Sequence, residues 1–183
     1  MLLKQVLDGW QGYQISLVHA IAPLSPEQLR WRPAPGLNSV GEVARHISLG
    51  RVVWFARMDA PGAAEVAAQI DVWEQDSDGN RYIVEQALDI AGDAAELVRW
   101  LEMSWAMIAQ TLSAWAVEDL QVVYRHTWNG DTYAISRQWT LWRILSHDIH
   151  HGGELSLMLG QQGIEAFELG GLFGHIILPP LAD

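Results

Sequence analysis

His147 and His151 stand four residues apart in Ser-His-Asp-Ile-His-His-Gly-Gly, the stretch from Ser146 to Gly153. A helix turns about 100° per residue, so that spacing stacks two imidazoles on one face, where both can reach one ion. The apolar periodicity from Trp139 to Leu159 predicts one helix, with Ile144, Leu155 and Met158 on the histidine stripe, so the pair is expected to face a core. His150 points roughly 100° away from His151, nearer the rim. Such a pair can also be ordinary helix surface or a satisfied core pair, so a third ligand matters. Catalytic zinc-type sites use three protein ligands and an open position. His46 is the candidate. It lies in a second helical run, Ser39 to Met58, and shares a face with Val43, Gly50, Val53 and Trp54. Gly50, one turn on, leaves room beside the imidazole. Buried imidazoles need partners for both ring nitrogens, and two helices aiming them into one core point to a shared ion.

The elements that must carry these residues follow in chain order. Leu2 to Ile21 has helical periodicity and ends at Pro23. Ser25-Pro26-Glu27-Gln28 opens a short helical turn inside the connection Leu24 to Leu37. Asn38 or Ser39 caps the second helix, with Glu42 at capping-box spacing from Ser39. Glu42 is also four residues before His46 and could orient its ring instead. Asp76 to Asn80 is a loop whose acids do not match the ligand pattern of a calcium loop. Arg81 to Ile90 is expected as a short helix, and Asp93 caps a longer one, Ala94 to Trp115. Val122 to Ile135, centred on Asn129-Gly130, predicts a β-hairpin, where His126 is expected to be exposed or cross-strand. Ser136 or Thr140 leads into the last helix. The tail, Gln161 to Asp183 with His175, is expected as coil packed over the helices. Four long amphipathic segments and one hairpin predict an all-α fold, a four-helix bundle forming a single domain over residues 1–183. A di-iron carboxylate centre is excluded by spacing, since neither His147 nor His151 has Glu three residues earlier.

Composition narrows the function. The 183 residues are half hydrophobic, enough for a packed core without staples, and contain no cysteine. Disulfides, thiolate metal sites and cysteine nucleophiles are therefore excluded. A formal charge of −11 argues against nucleic acid and anionic membranes as partners. No stretch reads as a signal peptide or a membrane span, and a cytoplasmic location is expected. The ten tryptophans read first as large core and interface side chains. Trp54 and Trp142 could wall an apolar pocket near the histidines, a role that packing explains as well.

Several of these pieces together resemble the DinB/YfiT-like superfamily. They are the Leu/Trp/Pro-rich connection leading to a histidine, Leu24 to His46, and the hairpin Thr127 to Tyr133. To these the last helix adds His-x-x-x-His-x-Gly-Glu-Leu from His147 to Leu155, followed by Leu159 and Gly163. The resemblance implies a four-helix bundle with crossover connections and a divalent metal held by three histidines, here His46, His147 and His151. It also implies a homodimer and, by analogy with characterised relatives, a metal-dependent thiol S-transferase or thiol-dependent isomerase. Relatives often carry Arg-Gly-Gln after the final histidine; this chain has Gly152, Gly153 and Glu154. Two successive glycines cost a helix about 1–2 kcal/mol, which suggests close approach of another backbone. Glu154, three residues after His151, could serve as a base or fourth ligand at the metal, or be a solvated helix residue.

The expected activity is that of a divalent-metal-dependent transferase of the thiol S-transferase type, or a hydrolase, with zinc, nickel or iron as the ion. Neutral imidazoles leave the ion its full charge, which lowers the pKa of bound water towards ~7 or deprotonates a thiol. The substrate is a small molecule, with a low-molecular-weight thiol as the expected cosubstrate. The alternative is a bundle without catalysis, either metal-binding or a dimeric interaction protein.

Overall fold

The computed structural model describes residue 3 and residues 8–166. It is mostly helical. The long helices are α1 (Asp8–Ile21), α3 (Val40–Arg57), α5 (Ala94–Ala114) and α6 (Arg137–Gln161), and α2 (Pro26–Arg30) and α4 (Ala63–Ala67) are short. The first predicted helix is seen from Asp8; most of its expected first turns and the tail beyond residue 166, with His175, lie outside the described residues. Among the described residues no helix is long and apolar enough to cross a membrane.

Local chemistry sets the helix starts. Ser25 and Ser39 head complete capping boxes with Gln28 and Glu42, Asp93 accepts from the N–H groups of Ala95 and Glu96, and Ser136 caps α6. Glu42 therefore serves the cap. Its carboxylate also takes the Arg32 guanidinium at 2.7 Å, and that pairing holds its pKa below the usual carboxylate range.

Helix α3 is the central element, packed against both α5 and α6, while α1 covers the same two helices from the other side. Leu17, Ile21, Ile47, Val52, Phe55, Leu97, Leu101, Ile108, Ile144 and Leu155 are fully buried between them. At about 25 cal/mol per Å² of apolar surface, side chains of this size contribute roughly 1.5–3 kcal/mol each.

Two antiparallel hairpins lie at one end. The expected one is β3 (Val123–Trp128) paired with β4 (Asp131–Ser136). Asn129 and Gly130 turn it with φ of 52° and 82°, the left-handed pair a type I′ turn requires. The second corrects the expected helix from Arg81 to Ile90. β1 (Trp73–Gln75) pairs with β2 (Arg81–Ile83), and only Glu85–Ala87 is helical, as a single 3₁₀ turn. The Asp76 carboxylate folds the loop between them by accepting from the backbone N–H of Asp78 and Asn80, and Tyr82, Ile83 and Val84 favour extended backbone. The two hairpins are latched together. Asp78 accepts from the backbone N–H of Asn129 and Gly130 at 2.7 and 3.0 Å, and Asn80 Nδ2 donates to the Thr127 carbonyl at 2.8 Å.

Candidate metal centre

Helices α3 and α6 run antiparallel, and three side chains meet where they cross. His46 comes from the second turn of α3, and His147 and His151 come from successive turns of α6. One ligand atom from each lies within 4.8 Å of the others. The Nε2 atoms of His46 and His147 are 3.0 Å apart, and the rings of His46 and His151 meet edge to face at 4.9 Å. Gly50 makes the crossing possible: a Cβ there would stand 3.1 Å from Cε1 of His147, so the space it leaves serves that ring rather than the ring of His46.

The histidines do not reach the deep core, as their apolar stripes led us to expect. Their side chains are 38%, 19% and 18% exposed for His46, His147 and His151. On α3 the residues His46, Gly50, Trp54 and Arg57 form a half-buried stripe, because the other faces of the helix are already packed against α5 and α6. The core behind is occupied by charge. Arg51 and Asp148, the residues following Gly50 and His147, form a fully buried ion pair at 2.9 Å. Trp10 Nε1 donates to Asp148 at 2.7 Å, and Arg51 Nη1 donates to Gln14 at 2.7 Å. Burial pushes the Asp148 carboxyl up, but Arg51 and the surrounding donors outweigh it and hold it below the usual range. Neither residue stood out in the sequence.

Each imidazole presents Nδ1 to a carboxylate. His46 Nδ1 is 2.7 Å from Glu85, and His151 Nδ1 is 2.8 Å from Glu154. His147 Nδ1 is buried 3.9 Å from Asp148, too far for a hydrogen bond but close enough to feel its charge. The Glu85 hydrogen bond raises the His46 pKa despite burial; burial lowers that of His151, with Glu154 opposing. At His46 and His151 the carboxylate on Nδ1 fixes the proton there and leaves Nε2 as the ligand atom, as in metal-bound histidines. Two Nε2 lone pairs facing each other at 3.0 Å repel unless a proton or a cation lies between them. A set of three neutral imidazoles suits a divalent ion of the zinc, nickel or iron type. The residues therefore fit a metal, and the cluster could bind one.

The remaining candidates sort as follows. Glu154 lies on the exposed side of His151, and His150 joins those two in a second, outer cluster. Glu85 was missed. It is 39 residues from His46 in sequence and is delivered by the 3₁₀ turn after the unexpected hairpin. The glycine pair is explained only in part. A Cβ on Gly152 would overlap the Tyr13 hydroxyl, a side chain and not a backbone, and Gly153 faces open space. Trp142 is 67% exposed on the outside of α6 and walls nothing near the site. Trp139 takes that place, its ring 5.7 Å from Trp54 in a cleft of about 600 Å³ under the hairpins. His126 faces the same cleft, its ring 5.3 Å from Trp54.

Comparison with known proteins agrees with the mostly helical fold. A crystal structure of a DinB-like protein from Bacillus cereus ATCC 10987 superposes with a TM-score of 0.59 at 18% identity, over 87% of this chain and 92% of that one. No curated protein matches the chain. The family model described as the DinB superfamily matches residues 14–155, a span that holds all three converging histidines, and the chain belongs to that superfamily.

Proposed function

We propose that this protein is a divalent-metal-dependent enzyme whose ion is held by His46, His147 and His151. The observation that carries the reading is the convergence of three imidazoles, each with a carboxylate towards Nδ1. The four long helices are read as a four-helix bundle with crossover connections, its site on the α3–α6 seam. Partial exposure of all three rings supports catalysis over a purely structural ion, because structural sites are closed by protein ligands. A bound divalent ion would supply Lewis acidity and lower the pKa of a water or thiol presented to it. Glu85 holds the His46 ring in orientation, and Gly50 leaves the space that the His147 ring fills. Glu154, exposed and bonded to His151, is read as the base that takes a proton from an incoming nucleophile. The reaction class is transfer to a low-molecular-weight thiol, or hydrolysis, of a small electrophilic substrate.

The test is metal analysis of protein purified without an affinity tag, followed by a screen with thiols and electrophiles. Stoichiometric zinc, nickel or iron is expected in the native chain and loss of it in His46→Ala and His147→Ala. Unchanged metal content in both variants would reject the ligand set.

A further inference from the structure

The cleft beside the histidines holds an unusual charge. Arg57 of α3 and Arg143 of α6 both lie against the Trp54 ring, each guanidinium carbon 4.6 Å from its centroid, and Arg143 also reaches Trp139 at 5.6 Å. Among the described residues neither arginine has a carboxylate within 4.0 Å, although Asp and Glu outnumber Lys and Arg by 22 to 11 in the chain. Among the described residues Arg57 donates only to the Arg81 carbonyl, and its buried Nε has no partner. Asp76 is the acid that lines the cleft, and its oxygens are taken by Asp78 and by the backbone and side chain of Asn80. Asp78 is held by the β3–β4 turn. Burial, and after it Arg57, lowers the pKa of His126 on the wall. Two like charges are thus gathered around one indole ring, with donors unused, beside a space the size of a small-molecule site.

We propose that this cleft binds a small organic carboxylate, its oxygens on Arg57 and Arg143 and its apolar body against Trp54 and Trp139. An oxyanion relieves the repulsion between the guanidiniums and accepts from their terminal N–H groups, and the indole rings offer apolar surface to a planar hydrocarbon. Arg143 is one helical turn, about 6 Å, from His147, and Trp54 is one turn from Gly50, which abuts the same ring. A ligand anchored here therefore lies about one helical turn from His147. Taken as the anionic end of a substrate, it rests on the metalloenzyme reading. The binding itself does not.

Isothermal titration with 2-naphthoate and its neutral isostere 2-naphthamide tests the proposal on the full chain. Naphthoate is expected to bind at least tenfold more tightly than naphthamide. Arg143→Met, at an exposed position, should remove most of that preference, and Arg57→Lys should weaken naphthoate less than Arg57→Met. If Arg57→Met fails to fold, Arg143→Met alone decides. Equal affinity for the two probes, binding of neither, or an unchanged preference in Arg143→Met overturns the proposal. His46→Ala should still bind naphthoate, and Arg143→Met should keep its metal, so failure of the anion site and failure of the metal site are told apart.

Discussion

Nε2 of His46 and Nε2 of His147 face each other across 3.0 Å between antiparallel helices. A ligand that binds the native state and not the unfolded chain stabilises by about 2.7 kcal/mol at a hundredfold excess over its dissociation constant. Saturating zinc or nickel is thus expected to raise the melting temperature of metal-stripped protein by several degrees. The same addition should leave His46→Ala unmoved, as read by calorimetry. A shift of equal size in both proteins would place the ion elsewhere.

Glu85 and Glu42 offer a paired test of what orients His46. Glu85 accepts from its ring, whereas Glu42 is committed to Ser39 and Arg32. Glu85→Gln should weaken metal binding about 10- to 100-fold with little change in stability, as loss of a carboxylate behind a ligand histidine does. Glu42→Ala should cost about 1 kcal/mol of stability through the lost cap and leave metal affinity unchanged. Competition with a chromophoric chelator, alongside urea titration, reads both; the reverse pattern would assign the ring to Glu42.

What the sequence made legible was local. The i, i+4 spacing of His147 and His151, the capping box at Ser39, and Asn129-Gly130 each write their geometry within a few residues, and each formed as expected. What stayed hidden depends on packing between distant segments. Glu85 reaches His46 only because Asp76 folds a hairpin ahead of it, and the tripartite contact of Arg57, Trp54 and Arg143 needs two helices side by side. Periodicity placed the histidines on the right seam but at the wrong depth. It ranks faces by apolar content, and α3 is covered on so many sides that its least buried stripe also contains Val53 and Trp54.

Arg51 and Asp148 anchor that seam, and a buried pair is far costlier to break than to replace. Arg51→Met strands the Asp148 charge at a fully buried position and is expected to lose about 3–5 kcal/mol in urea denaturation. Arg51→Met combined with Asp148→Leu should cost distinctly less. Its remaining loss would come from the Trp10 N–H and the Gln14 carbonyl left without partners. A double variant no more stable than the single would mean the pair is held for its hydrogen bonds and not for charge balance.

The outer face of α6 carries Trp142, Ile149 and Leu157, which are 67%, 51% and 65% exposed. At about 100° per residue they fall within roughly an 80° arc. Such a stripe suits a self-complementary interface; if two copies pair through it, Trp142→Glu is expected to lower the mass read by light scattering. A mass that does not change with this variant would remove the stripe from any dimer contact.

Gly152 and Gly153 are neighbours in one helix, yet alanine should act on them with opposite sign. A Cβ at 152 would overlap the Tyr13 hydroxyl and lie 2.6 Å from its Cζ. Tyr13 is only 3% exposed, and burial pushes its pKa up to about 12, so the ring has nowhere dry to retreat and resists ionising. Overpacking of that kind costs about 1–3 kcal/mol. At 153 nothing lies within 4 Å, and exchanging glycine for alanine on an exposed helix face returns up to about 1 kcal/mol. Urea midpoints should therefore fall for Gly152→Ala and rise for Gly153→Ala. Equal shifts in one direction would mean that α1 does not seat Tyr13 against the turn carrying His151.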